Sequence, residues 1–283
     1  MKKFKYNDNE FPTIYVVATP IGNLSEISQR ALDMLNKVET IYCEDTRVSS
    51  KLLSHFNIKD KKLESFYLHN EYDKSIQVIE TVKKLQEVVL ISDAGYPVIS
   101  DPGQHLVSLA IENDVNVVVI NGPNALLPAL INSGFKTIPF TFIGFLPHKS
   151  NDATNMLEQY VDYRHTLIMY ESVHRYKKTL NIIQQVLGNV NVCISRELTK
   201  INEEHIYGTV SELLYADLEL RGELVISIDN NTEIEEAEID DTFIINEVNI
   251  LIEQNVSRKN AIKDIAKKYG LEKNYVYDLV HRK

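Results

Sequence analysis

Apolar runs of four to six residues recur along the first half of this chain, and each breaks abruptly into a short polar or Gly/Pro stretch. Thr13-Ile14-Tyr15-Val16-Val17-Ala18 ends in Thr19-Pro20-Ile21-Gly22, Thr40-Ile41-Tyr42-Cys43 in Glu44-Asp45-Thr46-Arg47, and Leu63-Glu64-Ser65-Phe66-Tyr67-Leu68 in His69-Asn70-Glu71. Val88-Val89-Leu90-Ile91 ends in Ser92-Asp93-Ala94-Gly95-Tyr96-Pro97, and residues 115–120 end in Asn121-Gly122-Pro123-Asn124-Ala125. Such continuous runs predict strands buried on both faces. Between them lie helical stretches, at residues 28–35, 49–56, 73–85, 106–111 and up to 131. Strands alternating with helices predict a parallel α/β sheet whose strand-end loops gather on one edge. Ligands of open α/β sheets bind outside the carboxyl ends of the strands. Residues 88–103 are therefore the first place to look for a site, since Ala94 and Gly95 leave room for a ligand to approach the backbone.

Residues 140–145 form a further apolar run, punctuated by Leu146-Pro147-His148-Lys149-Ser150. A first α/β domain is expected over residues 12–145 and a second over 146–230. The second half carries a helix at 151–163, a strand at 165–170, a helix to Leu187, and strands at 190–195, 206–210 and 222–228, which suggest a mixed sheet. Residues 232–241 hold six acids and are expected to be a solvated linker. Helices at 242–254, at 257–269 (stopped by Gly270) and at 273–281 then form a small helical domain over 242–283. Two helices split by a Gly-centred turn have helix-turn-helix dimensions.

Charge sharpens this division. The chain carries a net charge of −10, but residues 257–283 hold eight Lys/Arg against three acids, a net +5, which leaves −15 for the rest. A basic tail on an acidic body suggests a polyanionic partner at one end. The absence of a long apolar run and of an apolar leader predicts a cytoplasmic protein with no membrane contact. Cys43 and Cys193 lie in strand-like runs and are expected to be reduced core residues, with no metal site.

The common nucleotide fingerprints, GxGxxG after the first strand and GxxxxGK[ST], are missing. The strand-end loops instead offer Asp45, Arg47, Glu171, Arg196, Glu197 and Lys200 as candidate catalytic groups. Lys200 or Arg196 would hold phosphate or favour an alkoxide, and Glu171 or Asp45 would act as base or orienter. Each has a plainer alternative, since a strand-end Glu-Asp-Thr-Arg is often an ion-pair and capping cluster.

Ten motifs in order carry a resemblance: TPIGNL (19–24), EDTR (44–47), HNE (69–71), SDAGYP (92–97), DPG (101–103), GPNA (122–125), GFLPHK (144–149), YESVHR (170–175), RELTK (196–200) and GE (222–223). Together they resemble the ribosomal-RNA-modifying branch of the tetrapyrrole-methylase superfamily, over about residues 12–230. The resemblance implies two α/β domains with S-adenosyl-L-methionine (AdoMet) in the cleft between them, and usually a homodimer. It also implies 2′-O-methylation of a cytidine ribose in the decoding region of 16S rRNA, with the rRNA or the small ribosomal subunit as partner. On the matching positions the donor would contact Pro20, Gly95, Tyr96, Pro97, Val98, Ser100, Gly122, Pro123, Asn124, Ala125, Tyr170, Leu198 and Gly222. Tyr96 stands where the family often has Thr, and Asn124 where a smaller residue is common. Two other readings remain: a small-molecule, tetrapyrrole-type methylase of the same fold, and a non-catalytic nucleic-acid-binding protein.

Overall fold

The computed structural model describes residues 2–4, 10–216, 218–231, 241–253, 256–268 and 271–281. The expected acidic linker, apart from Asp241, and the helix stop at Gly270 lie outside the described residues.

Five strands form the first sheet: β1 (Thr13–Val17), β2 (Thr40–Cys43), β3 (Lys62–Ser65), β4 (Glu87–Ile91) and β5 (Asn116–Ile120). Their order is β3-β2-β4-β1-β5, and every pair is parallel. Burial follows from the pleat. Ile14, Val16, Val88 and Leu90 face one helical layer, while Tyr15, Val17, Val89 and Ile91 face the other. Alternate residues thus meet apolar partners on both sides, which is why the strands read as unbroken runs rather than alternating ones. The intervening helices are α1 (Gln29–Lys37), α2 (Thr46–His55), α3 (Glu71–Leu85) and α4 (Gln104–Glu112). The Ser28 hydroxyl caps α1 by accepting from the Ala31 amide at 3.1 Å. At α4 the cap comes from a distance: Glu71 Oε1 accepts from the Gly103 and His105 amides at 2.9 and 3.0 Å. The carboxylate of the HNE motif therefore terminates a helix and holds the loop after β4 in place.

The second sheet has the order β6-β7-β10-β8-β9, built from β6 (Phe140–Phe145), β7 (Thr166–Ser172), β8 (Asn191–Arg196), β9 (Glu204–Thr209) and β10 (Glu223–Ile228). β6 and β7 are parallel and the remaining pairs antiparallel, so the sheet is mixed. One expectation is corrected here: residues 140–145 were assigned to the first half, but they pair with β7. Nothing in an apolar run states which sheet will take it; the choice follows from α5 (Leu126–Ser133), which leaves β5 and packs on β8 and β10. There Ala129 and Leu130 join Ile168, Leu198 and Val225 in one cluster, so the chain has already crossed over before β6 begins.

Smaller differences concern element ends. The third strand stops at Ser65, and Leu68–Asn70 is a 3₁₀ turn; the helix after β2 begins at Thr46; α6 (Ser150–Glu158) is shorter than expected. α7 (Tyr176–Leu187) follows β7. α8 (Val210–Tyr215) was not anticipated, although its T-x-x-E capping box, Thr209 with Glu212, is visible in the sequence.

Residues 1–231 form one compact unit and 232–283 a second. The second contains α9 (Asp241–Glu253), α10 (Arg258–Lys268) and α11 (Lys273–His281), packed around Ile244, Val248, Ala261, Ile262, Ile265, Val276 and Leu279. Arg258, Lys259, Lys263 and Lys273 are exposed on it. No described helix is long and apolar enough to cross a membrane.

Candidate active site

The carboxyl ends of β1, β2, β4 and β5 converge, and the loops that leave them are bound to one another. Thr19 and Gly95 exchange backbone hydrogen bonds at 2.9 and 3.0 Å, and the Thr19 hydroxyl donates to the Ser92 carbonyl at 3.1 Å. The Tyr96 hydroxyl accepts from the Gly122 amide at 3.0 Å and lies 3.3 Å from Asn121 Oδ1. Tyr96 therefore ties the loop after β4 to the loop after β5, a role its phenol can reach and a threonine could not. Gly95, at φ +75°, adopts the left-handed conformation; Val98 (φ 79°) and Ser100 (φ 67°) adopt it without being glycine. A β-branched residue there is strained, and such strain concentrates at ligand-binding loops.

The second sheet closes the opposite side. A register shift in β6 places Gly144 so that a Cβ on it would sit 3.6 Å from Ser100 Oγ. Between these walls lies a cavity of about 860 Å³. Its apolar lining includes Ile21, Ile99, Phe142, Phe145, Leu198 and Val225, interleaved with carboxylates, hydroxyls and one lysine among the described residues. This is the size and character of a site for a drug-sized ligand.

Of the residues anticipated as donor contacts, Gly95, Tyr96, Ser100, Asn124, Ala125, Tyr170, Leu198 and Gly222 line this cavity. Pro20, Pro97, Val98, Gly122 and Pro123 do not line it, although Gly122 supports the wall through Tyr96. Asn124 Oδ1 accepts from the Leu127 amide at 2.9 Å and so helps start α5.

The anticipated catalytic groups divide. Glu171 and Lys200 line the cavity; Asp45, Arg47 and Arg196 do not. Asp45 caps α2 and grips Arg47, whose side chain is 85% exposed. Hydrogen bonds from Arg47 hold the Asp45 carboxyl down at about 2, which makes it a poor base. Arg196 pairs across the β8–β9 ladder with Glu204 at 2.5 Å. Glu171, 2% exposed, accepts from the Ser172 amide (2.7 Å) and the Thr179 hydroxyl (2.5 Å) and lies 3.5 Å from Arg175 Nε. Arg175 in turn donates to the carbonyls of Leu146 and Pro147. Glu171 is thus occupied in anchoring the chain after β6.

Lys200 is placed by close approaches. A Cβ at Gly22 would lie 2.5 Å from Lys200 Cγ, so the lysine stem runs directly over that glycine. A Cβ at Gly222 would lie 1.9 Å from Glu197 Oε1. Glu197 therefore occupies the space over Gly222, and its carboxylate accepts from Lys200 Nζ at 2.9 Å. That hydrogen bond raises the lysine pKa, so the group is a fixed cation rather than a base.

The residues that sequence reasoning missed are acidic. Glu44, Asp93 and Asp101 all line the cavity. Burial, followed by the Glu44 charge, pushes Asp101 up to about 6; burial first also raises Glu44 and Asp93. Across the cleft, burial and then Asp101 push the Tyr170 hydroxyl up to about 12. The signal was an Asp directly after a buried strand and another opening DPG, both read as loop punctuation. Among the described residues, no three His, Cys, Asp or Glu side chains are grouped to hold a metal.

Asp101 carries a stability prediction. Its folded pKa exceeds the unfolded value near 4, so the folded state holds the extra proton between about pH 4 and 6 and loses stability as pH rises through that window. Asp101→Asn should raise the unfolding free energy more at pH 7.5 than at pH 4.5, by roughly 1–2 kcal/mol once partial solvent screening is allowed for, read by urea denaturation. Equal stability of the two proteins at both pH values would show that the carboxyl is fully solvated.

The fold and this cleft define a methyltransferase of one structural class: residues 13–214 match the model of the Tetrapyrrole (Corrin/Porphyrin) Methylases. Diphthine synthase superposes with a TM-score of 0.61 at 13% identity, covering 76% of this chain and 89% of that one. Uroporphyrin-III C-methyl transferase from Thermus thermophilus, complexed with S-adenyl homocysteine, gives 0.52 at 16%, covering 76% and 96%. Much nearer in sequence are two proteins named ribosomal RNA small subunit methyltransferase I. The one from Mycoplasma genitalium is 40% identical over 273 residues (95% of this chain, 98% of the relative), and that from Bacillus subtilis is 39% identical over 276 residues (95% and 94%). The chain belongs to the ribosomal RNA small subunit methyltransferase I family of the tetrapyrrole methylases.

Proposed function

We propose that this protein transfers a methyl group from AdoMet to the 2′-oxygen of a cytidine ribose in the decoding region of 16S rRNA, in the cytoplasm and as a homodimer. The observation that carries the reading is the near end-to-end match to relatives named for small-subunit rRNA, which takes in the basic helical tail as well as the α/β body. A porphyrinoid substrate gives no reason for such a tail.

The residues present fit AdoMet. It carries a sulfonium and an ammonium, and the cavity offers Glu44, Asp93 and Asp101 beside a wide apolar lining and the close backbone approach at Gly95. When bound, AdoMet supplies an electrophilic methyl group; the chain must align a 2′-oxygen with it, so positioning is the main contribution. A ribose hydroxyl is weakly acidic and needs help to lose its proton. Asp101, poised near 6, has the affinity suited to taking a proton at neutral pH. Lys200, held at 2.9 Å by Glu197, offers a positive charge on the cavity wall to favour an alkoxide. Glu171 positions Arg175 and the loop below it.

The direct test uses labelled AdoMet, small subunits from a strain lacking this gene, and nuclease mapping. Label in an alkali-resistant dinucleotide at a decoding-region cytidine is expected. Label on a porphyrinoid and none on RNA would favour the small-molecule reading instead. Deletion of residues 257–283, which removes the net +5, should weaken RNA binding at least tenfold and flatten its salt dependence while AdoMet binding persists. Unchanged RNA affinity after truncation would take the tail out of recognition.

A further inference from the structure

Strand β6 carries a bulge within a parallel pair. Phe142 pairs with Ile168 and Gly144 with Met169, so two steps along β6 answer one along β7. Side chains of a regular strand alternate between faces, so residues three apart point opposite ways. Across this bulge they do not. Phe142 and Phe145 both line the cavity, while Ile143 and Leu146 both join the core on the other face of the sheet. Gly144, at φ +76°, takes up the irregularity. Phe145 then pairs with Tyr170 and meets its ring edge to face at 5.6 Å, and Phe142 meets the same ring at 4.8 Å. The bulge thus turns Phe145 into the cleft and completes a group of three aromatic rings on one wall. Bulges recur next to active sites, where they re-aim a side chain.

Phe145 stays 52% exposed although it lines the cavity, which puts it at the mouth rather than at depth. The opposite wall has a matching feature. Ile99 lines the cavity, is 50% exposed, and stands between Val98 and Ser100, both held at positive φ. Ser100 Oγ is the atom that a Cβ at Gly144 would approach, at 3.6 Å. Two unusual backbones therefore meet at the rim of the cleft, and each presents a half-exposed apolar side chain beside the junction.

Resting on the rRNA reading above, we infer that Phe145 is the stacking platform for the base of the acceptor nucleotide, with Tyr170 bracing its ring and Ile99 bounding the slot from the first domain. A 2′-oxygen can be brought in line with a methyl donor inside a cleft only when its nucleotide leaves the neighbouring stack, which costs the stacking energy of that base. An aromatic face at the mouth restores that energy and holds the ribose in one orientation. The donor's cationic groups are matched by the acidic groups and by the close backbone approach at Gly95. The exposed aromatic mouth is left to the substrate that arrives from solvent. Every base has a π-face, so this slot positions the acceptor and leaves the choice of cytidine to other contacts.

The test compares full-length wild type with Phe145→Ala, Phe145→Leu and Phe145→Trp. The readouts are methyl transfer to unmethylated small subunits over a salt series, AdoMet binding by calorimetry, and sedimentation. Phe145→Ala is expected to lower kcat/KM for subunits roughly 5- to 150-fold, with AdoMet affinity within about threefold of wild type. Phe145→Leu keeps apolar bulk without a π-face and should lose at least about fivefold, whereas Phe145→Trp should stay within about threefold. The dependence of kcat/KM on salt should be unchanged, because no charge is removed. Wild-type rates in Phe145→Leu would reduce the contact to apolar packing and overturn the stacking. AdoMet affinity that falls in step with activity would assign the ring to the donor, and a changed sedimentation coefficient would assign it to a contact between copies; either overturns the proposal. A wild type that transfers no methyl group to subunits would instead overturn the rRNA reading, and the slot with it.

Discussion

Replacing Gly95 by leucine is expected to reduce AdoMet affinity at least 100-fold, about 2.7 kcal/mol, in a protein that still folds. Gly95 sits at φ +75° on the cavity wall, and its amide and carbonyl are both committed to Thr19. A Cβ there would already stand 3.4 Å from Ile21 Cγ2, and the rest of the leucine side chain would have to extend into the space the donor needs. Left-handed backbone adds about 1–2 kcal/mol of strain for a non-glycine residue, which a domain of this size tolerates. Gly95→Ala separates the two effects: it carries the strain with little of the bulk and should cost AdoMet binding only several-fold. Calorimetry with circular dichroism as the folding check decides the matter. A folded Gly95→Leu protein that binds AdoMet normally would mean that the donor lies elsewhere in the cleft.

Lys200→Met should lower kcat for methyl transfer by 10²–10³, with AdoMet affinity within threefold of wild type. The size follows from removing one fixed charge from a partly desolvated site, worth about 3–4 kcal/mol in comparable cases. Methionine keeps the length of the stem over Gly22, so packing is largely preserved while the ammonium is lost. AdoMet binding has no reason to fall, because the substitution makes an acidic cavity more acidic toward a cation. Lys200→Arg should restore a measurable fraction of the rate, since charge returns in altered geometry. A kcat within threefold of wild type for Lys200→Met would assign the Glu197–Lys200 pair to holding the loop after β8 and nothing more.

These expectations depend on the tertiary structure to different degrees. Gly95 was a candidate from the sequence, because a small residue after an unbroken buried strand has few other uses, and its loop does line the cavity. Lys200 was one of several polar candidates, with Arg196 expected as readily in its role. Asp45, Arg47 and Arg196 looked as suitable, and their partners are what set them apart: a helix cap with an exposed ion pair, and a cross-strand pair with Glu204. Asp101 went unrecognised because its raised proton affinity comes from burial and from Glu44, 57 positions earlier in the chain. Tyr96, expected as a donor contact and noted as a departure from its family's habit, is also a bridge between two loops.

By itself the sequence determined the parallel first sheet, the mixed second sheet, the basic helical tail and the family, since each is written in local order: unbroken apolar runs, helical spacing, charge runs and short motifs at strand ends. Only the tertiary structure decided which sheet takes residues 140–145, and which carboxylates are engaged and which face the cavity. Those outcomes depend on long-range contacts. α5 crosses to the second sheet, Glu71 reaches the start of α4, and Tyr176 holds the loop before Gly222. Burial and electrostatic neighbourhood are properties of what the folded chain brings together, and residues distant in sequence acquire them only in space.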